Sequence, residues 1–218
     1  MKIYRLPPRI SGLVFDMDLT LYTHPEYARA QVEPLFERFG QKLGKDAVEA
    51  RREVEAYRQA WAASHGGQRL SLGAVFSAHG ISAEENIRWR EESCEPGLYL
   101  KADPLLRRSL SALGLSCALG VVSNNPVLVI RKTLAALGVA DLFKTLVGPD
   151  TCRVSKPHRA PFLRAAEDLG LAPETCVSLG DRYDVDLAPA LELGMGGILV
   201  DGVEDVYKLP EVLNLNSP

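Results

Sequence analysis

Apolar and polar positions follow two different patterns along this chain. From about residue 97 onwards, short apolar runs of strand length alternate with stretches whose apolar residues share one helical face. Strands are predicted in SCALGVVSNN, KTLVG, TCVSLGD and GGILVD. Helices are predicted in PLLRRSLSALG, VLVIRKTLAALG, APFLRAAEDLG and DLAPALELG. This alternation is typical of parallel β-α-β units with helices on both faces of one sheet.

Residues 22–96 show helical periodicity and no convincing strand. The stretch PEYARAQVEPLFERFGQKLG has one apolar face, with a break expected near Pro34. A second helix is expected to follow Asp46 as its N-cap, and Ser82 with Glu85 forms the capping-box pattern of a third. A crossover between parallel strands does not need so long a connection, so this segment is predicted to be a helical insertion.

The predicted fold is therefore α/β: a Rossmann-like doubly wound parallel sheet core with an inserted α-helical domain. Residues 1–21 and 97–218 would form the core, and residues 22–96 would form the insertion. The first core strand lies in LVFDMDLTLY, residues 13–22, and it ends in the carboxylates of Asp16 and Asp18. Ionised aspartate is costly to bury without a partner, so this strand end needs a chemical explanation.

Polar residues also follow the other predicted strands, where a parallel sheet binds its ligands. Ser123 and Asn124 follow GVV, Asp181 follows SLG, and Lys156 lies on a loop ahead of a helix. Clustered carboxylates repel one another unless a cation joins them, and ligands that are all oxygen favour Mg²⁺ over zinc. A hydroxyl, an amide and an ammonium beside them are groups that bind phosphate oxygens. Taken singly, each residue also fits a turn, a helix cap or a solvated surface position.

The segments FDMDLT, VVSNN, SKP and LGDRYDVD resemble, in order and spacing, the four motifs of the haloacid-dehalogenase-like superfamily of aspartate-nucleophile phosphohydrolases. The resemblance covers the sheet core. The helical insertion resembles the helical cap of the best-known subgroup, so we refer to residues 22–96 as the cap. Position 19 is Leu where the family often has Gly or Asp, and Val185 replaces a frequent Asn.

The resemblance implies a role for each motif residue. Asp16 would be the nucleophile that forms an aspartyl-phosphate, and Asp18 would be the general acid and base. Candidate catalytic residues are thus Asp16, Asp18 and Lys156. Candidate phosphate ligands are Thr20, Ser123, Asn124 and Lys156. Candidate Mg²⁺ ligands are Asp16, Asp18 (through its carbonyl oxygen), Asp181 and Asp186, with Asp184 an open alternative to Asp186.

The expected activity is Mg²⁺-dependent hydrolysis of small phosphomonoesters such as nucleotides, sugar phosphates or phosphoglycolate. Asp18 favours phosphoryl transfer over dehalogenation, because a halide leaves without a proton. A phosphomutase stays open, as does a non-catalytic phosphate-binding or phospho-receiver protein on a similar fold. Several cap side chains are candidates for contacting the substrate, although core packing or solvent exposure would also explain them: His24, Tyr27, Tyr57, Trp61, His65 and Arg69.

Composition and charge narrow the classes of molecule that this chain is expected to bind. The 218 residues are 46% apolar, carry a formal net charge of −3 and contain no long basic run, which argues against nucleic acid and anionic membranes. No run of about 18 apolar residues suggests a membrane span, and the first residues do not resemble a signal peptide. The four cysteines lie far apart without C-x-x-C spacing. We expect a cytoplasmic monomer or homodimer whose partner is a small phosphorylated metabolite.

Overall fold

The computed structural model describes residues 1–67 and 70–214. Within them, six strands form one sheet in the order β1-β6-β5-β2-β3-β4. The strands are β1 (Lys2–Arg5), β2 (Gly12–Phe15), β3 (Ala118–Val122), β4 (Thr145–Val147), β5 (Cys176–Gly180) and β6 (Gly196–Leu199). Strands β2 to β6 pair in parallel, while β1 pairs antiparallel with β6. The predicted α/β class with a doubly wound parallel core is confirmed, and one antiparallel edge strand is added to it.

Strand β1 was not predicted from the sequence, and there is a physical reason for this. All four of its residues are exposed, so no alternation of buried and polar positions marks them. An edge strand needs only one hydrogen-bonded neighbour, and β1 has it in β6, where Ile3 pairs with Ile198. The central strands β2 and β5 differ in this respect, because every residue in both is buried.

Helices cover both faces of the sheet. Those of the core are α6 (Pro104–Gly114), α7 (Val127–Ala136), α8 (Pro149–Cys152), α9 (Ala160–Asp168), α10 (Ala188–Glu192) and α11 (Val203–Leu213), numbered after five cap helices. A π-helical turn, Tyr183–Leu187, leads into α10. Helix α11 was not predicted, since Pro210 lies inside it and an interior proline usually ends a helix. It packs on α6, where the Ser109 hydroxyl donates to the Tyr207 carbonyl at 3.1 Å.

The cap contains helices α1 (Pro25–Ala30), α2 (Glu33–Leu43), α3 (Ala47–Ser64), α4 (Leu72–Ala78) and α5 (Ala83–Ser93). The predicted break falls between α1 and α2, and Pro34 lies in the first turn of α2. Asp46 caps α3 in a reciprocal capping box with Glu49, and the Ser82 side chain caps α5. The break and both N-caps are confirmed, whereas the Glu85 carboxylate pairs with Lys42 and only the Ser82 half of the predicted capping box forms. The short helix α4 was missed.

The buried apolar residues form separate clusters. The largest lies around the sheet and includes Phe15, Val121 and Leu179, all fully buried. A second cluster joins helices α2 to α5 and comprises Leu35, Phe36, Phe39, Ala50, Val54, Leu72, Val75, Phe76, Ile81 and Trp89. Helix α1 packs differently, since Tyr27 belongs to the sheet cluster. None of the described helices is long and apolar enough to cross a membrane.

Candidate active site

The parallel register brings three polar strand ends together. Phe15 at the end of β2 pairs with Val121 of β3 on one side and with Leu179 of β5 on the other. The residues that follow these strands therefore leave the sheet side by side. They include Asp16, Ser123 and Asp181.

Lys156 reaches this edge from the loop between α8 and α9 and is 1% exposed. Its Nζ lies 2.5 Å from Asp16 Oδ1 and 2.7 Å from Asp186 Oδ1. Both carboxylates are buried as well, so each charge in this group has an opposite charge in contact. A buried ammonium held by two carboxylates satisfies the usual condition for burying ions.

Burial sets the protonation of this group. It raises the pKa of Asp16 to about 7, although the charge of Lys156 acts in the opposite direction. Burial also acts to lower the pKa of Lys156, but the charges of Asp16 and Asp186 outweigh it, and the net pKa is raised. Lys156 is therefore a fixed positive charge beside Asp16.

Three of the predicted metal ligands lie together. One carboxylate oxygen from each of Asp16, Asp181 and Asp186 lies within 4.8 Å of the others. Oδ1 of Asp181 is buried without a hydrogen-bond donor among the described residues, and its nearest cation, Arg182 Nε, is 3.6 Å away. A buried carboxylate oxygen without a donor beside two further carboxylates fits a divalent cation, and the all-oxygen set fits Mg²⁺.

The acid that completes this cluster is Asp186, while Asp184 is exposed and lies outside the cluster. The π-helical turn sets the difference, since the backbone N–H of Arg182 donates to Asp186 Oδ2 at 3.0 Å. The chain approaches closely here: a Cβ on Gly180 would lie 2.4 Å from the Asp186 Cβ. Only glycine leaves room for Asp186 at this position.

The side chains of the predicted phosphate ligands make different hydrogen bonds. Ser123 is buried, and its Oγ accepts the backbone N–H of Asn125 at 3.1 Å, which leaves the hydroxyl proton for another acceptor. The Asn124 side chain instead holds the backbone of Lys156, donating to its carbonyl at 3.1 Å and accepting its N–H at 2.8 Å. Thr20 is buried and donates to Asp16 Oδ2 at 3.4 Å.

The carboxylate of Asp18 is not one of the three in the metal cluster, and it accepts three hydrogen bonds. The donors are the Tyr22 hydroxyl at 2.5 Å, Gln31 Nε2 at 3.0 Å and Asn125 Nδ2 at 2.9 Å. Burial and the Asp18 charge raise the pKa of Tyr22, so the phenol keeps its proton and donates it. The next residue, Leu19, has a left-handed backbone with φ of 59°, a conformation that glycine adopts more readily than leucine.

Four polar residues of this site were not predicted: Gln31, Arg90, Asn125 and Arg182. Asn125 donates to Gln31 Oε1 at 2.8 Å and accepts from Arg90 Nη1 at 2.9 Å. Arg90 lies on cap helix α5, so this contact joins the cap to the strand end after β3. Asn125 could have been suspected from its place beside Asn124, whereas nothing in the local pattern around Arg90 predicts burial.

A cavity of about 1130 Å³ lies between the cap and the core. The cap lines it with Trp61, Ser71 and Arg90 among others, and the core with Lys156 and Asp181 among others. Ser71 Oγ of the cap lies 3.0 Å from Ser155 Oγ of the core, and Ser155 directly precedes Lys156. The cap and the core therefore make contact at the edge of the cavity.

Of the predicted substrate-contacting side chains, Trp61 lines the cavity and stacks on His65. The other three described side chains have structural contacts. His24 caps α1, the Tyr27 hydroxyl lies 3.2 Å from Thr133 Oγ1, and Tyr57 packs against His79. Arg69 lies outside the described residues.

Comparisons with known proteins agree with this geometry. Residues 10–194 match the family described as haloacid dehalogenase-like hydrolase. A phosphoglycolate phosphatase of Escherichia coli K12 is 32% identical over 163 residues, a match that covers 69% of this chain and 61% of that protein. The chain thus spans less than two thirds of the length of this relative.

Solved structures show the same fold. A HAD phosphatase from Thermococcus onnurineus superimposes with a TM-score of 0.61 at 21% identity, over 94% of this chain and 98% of that one. A 2-haloacid dehalogenase from Pseudomonas syringae pv. tomato DC3000 gives 0.58 at 24% identity, with the same coverage of both chains. Because two different chemistries share this fold, the choice between them depends on the residues of the site.

Proposed function

The chain belongs to the haloacid dehalogenase-like hydrolase family, and we propose that it is a Mg²⁺-dependent phosphatase of small phosphomonoesters that forms an aspartyl-phosphate at Asp16. The main support for this function is the buried ammonium of Lys156, which lies between Asp16 and Asp186, beside an oxygen of Asp181 without a hydrogen-bond donor among the described residues. Such a site combines a carboxylate nucleophile with the positive charge that a phosphate dianion needs to approach it. The name of the Escherichia coli relative makes phosphoglycolate the first substrate to test.

Asp16, Asp181 and Asp186, with the Asp18 carbonyl oxygen, would hold the Mg²⁺. When bound, the ion would offset the negative charges of Asp16 and the substrate phosphate. Lys156 supplies a second positive charge at Asp16 Oδ1, and the free hydroxyl proton of Ser123 would donate to a phosphate oxygen. Asn124 would contribute indirectly, because its two hydrogen bonds hold the backbone that carries Lys156.

The reaction would then take two displacements. A carboxylate oxygen of Asp16 forms a bond to phosphorus while the ester P–O bond breaks, and protonated Asp18 gives its proton to the leaving oxygen. Ionised Asp18 next takes a proton from a water molecule, which attacks phosphorus and releases phosphate and free Asp16. One carboxyl group thus serves as acid and then as base.

We further propose that residues 22–96 form a separate cap domain that covers small substrates. Its own apolar cluster and the cavity shared with the core support this division. Because the cavity lies between the cap and the core, we expect small esters to enter it more readily than folded phosphoproteins. A folded phosphoprotein that is turned over when no small ester is would contradict this cap proposal.

The deciding experiment is phosphate release from a panel of phosphomonoesters with added Mg²⁺, including phosphoglycolate, nucleotides and sugar phosphates. Product analysis by NMR separates hydrolysis from transfer of the phosphate within a sugar, as a mutase would do. The Asp16→Asn protein, purified in the same way, controls for contaminating phosphatases. A panel without any turnover would reject the proposed function.

Metal removal is expected to abolish activity. Without a cation, Asp16 and its acidic neighbours repel a phosphate dianion, and Lys156 already has two carboxylates to neutralise. We expect EDTA to stop hydrolysis of an aryl phosphate and Mg²⁺ to restore it, measured by product absorbance. Full activity in protein shown by elemental analysis to be metal-free would refute the metal assignment.

The two acids of the π-helical turn offer a matched pair of variants. Asp186→Asn should lower kcat/KM about 10- to 100-fold, because it weakens the metal site and removes one partner of Lys156. The exposed Asp184→Asn loses the same charge two residues away and should stay near wild type. The Mg²⁺ concentration at half-maximal activity should rise only for Asp186→Asn. Equal effects of the two substitutions would contradict the assignment of Asp186.

A further inference from the structure

Arg90 is a buried cation without an acidic partner. Its side chain belongs to cap helix α5 and the residue is only 8% exposed. Among the described residues, no carboxylate lies within ion-pair distance of its guanidinium, whereas the other buried cation of the site, Lys156, has two. A charge is costly to bury unpaired, so the position of Arg90 needs an explanation.

The contacts of Arg90 leave donors unused. Its Nε donates to Asn86 Oδ1 at 3.3 Å, and its Nη1 donates to Asn125 Oδ1 at 2.9 Å. Both partners are neutral amides, and a guanidinium has five N–H groups. Arg90 lines the cavity between cap and core, so the remaining N–H groups have a space in which an anion can bind.

The guanidinium also keeps its charge in this place. Burial lowers the pKa of Arg90, while the neighbouring Cys94 and Asp18 act in the opposite direction. Arginine starts so far above neutral pH that it stays protonated in proteins. The carboxylate of Asp18 does not neutralise it by contact, because the Asn125 side chain lies between the two and bonds to both.

The position of Arg90 relative to Asp18 indicates which part of a substrate Arg90 would contact. One side chain, Asn125, separates the two: its Oδ1 accepts from Arg90 and its Nδ2 donates to Asp18. In the proposed reaction Asp18 protonates the leaving oxygen, so the organic part of the ester lies on the Asp18 side. Asp18 and Arg90 line the same cavity, so a group on that organic part can reach the unused N–H groups of Arg90.

Resting on the proposed function, we propose that Arg90 binds a carboxylate on the organic part of the substrate, which makes the substrate class a short phosphorylated acid. The planar guanidinium edge matches the two oxygens of a carboxylate. A single cation with neutral amide neighbours suits one negative charge better than the two charges of a second phosphate.

The test compares two-carbon phosphate esters that differ in the end group. Wild-type kcat/KM with Mg²⁺ is measured for 2-phosphoglycolate, ethyl phosphate and ethanolamine phosphate, which end in a carboxylate, a methyl and an ammonium group. We expect this order of preference, with the carboxylate favoured about 10- to 100-fold over the methyl group. Arg90→Gln should remove that preference, because kcat/KM should fall far more for 2-phosphoglycolate than for ethyl phosphate, mainly through KM.

The control is Arg88→Gln. Arg88 lies on the same helix, but its side chain is 64% exposed and contacts Glu92 rather than the cavity. This variant should keep the wild-type preference. Arg90→Lys keeps the charge but loses the planar fork, so it should give an intermediate preference. If Arg90→Gln fails to fold by circular dichroism, the lysine variant decides.

Three results would overturn the proposal. An equal fall for 2-phosphoglycolate and ethyl phosphate in Arg90→Gln would mean that Arg90 acts only through Asn125 and Asp18. A preference for ethylene glycol bisphosphate over 2-phosphoglycolate that Arg90→Gln removes would assign Arg90 to a second phosphate. If the wild type cleaves no ester, the proposed function fails, and calorimetry decides on Arg90: phosphonoacetate should then bind more tightly than ethylphosphonate, and equal binding would refute the role.

Discussion

Replacing Asp16 with asparagine is expected to lower kcat by a factor on the order of 10⁴ or more, since removing a nucleophile costs this much in comparable enzymes. The neutral amide cannot form the acyl-phosphate bond, and Lys156 loses one of its two carboxylate partners. Asparagine has nearly the same shape, so the fold should be retained. Phosphate release and intact-mass detection of protein-bound phosphate measure both parts of the prediction.

The exposed Asp184→Asn variant serves as the control for Asp16→Asn, because it makes the same chemical change at the same edge of the sheet. It should hydrolyse esters and become transiently phosphorylated like the wild type. If Asp16→Asn still acquired covalent phosphate, another residue would be the nucleophile.

Replacing Asp18 with asparagine should separate the two displacements. If the side chain of Asp18 moves protons, its loss costs on the order of 10² to 10⁴ in rate. An aryl oxygen leaves with little protonation, so Asp16 can still be phosphorylated from an aryl phosphate. The intermediate then lacks a base to activate water. We therefore expect Asp18→Asn to accumulate phosphoenzyme with aryl phosphate and to be nearly inert towards alkyl phosphates.

The measurement is acid quenching at several times, followed by intact mass. The amide of the Asp18→Asn variant keeps an oxygen for the hydrogen bonds that Tyr22 and Gln31 donate to Oδ1, so its neighbours need not rearrange at that atom. Asp16→Asn should show no trapped phosphate with either ester. Equal losses on aryl and alkyl esters without a trapped intermediate would count against proton transfer by Asp18.

The sheet core and its acidic edge could be predicted because local signals coincide there. Buried parallel strands appear as short apolar runs, and the register of β2 with β3 and β5 then places the residues after them together. Asp16, Asp181 and Lys156 lie together at this edge, as that reasoning predicts: Asp16 is close to Asp181, and Lys156 forms an ion pair with Asp16. The choice of Asp186 over Asp184 required the π-helical turn, which no spacing pattern specifies.

Features that depend on tertiary packing could not be predicted in this way. The sequence AEENIRWREES surrounds Arg90 with charged residues, which is typical of a solvated helix face, and only the placement of the cap over the core buries it. Asn124 and Asn125 are adjacent and chemically identical, yet one holds the Lys156 backbone and the other connects Arg90 with Asp18. Residue type alone does not separate these two positions.

The close approach of Gly180 and Asp186 also limits how this site can evolve. Every single-base change in a glycine codon that replaces the amino acid with another introduces a Cβ, and here that atom would collide with Asp186. A mutation at a residue with no functional group would therefore displace the carboxylate that pairs with Lys156. Position 180 is expected to accept only glycine as long as Asp186 keeps its place beside Lys156.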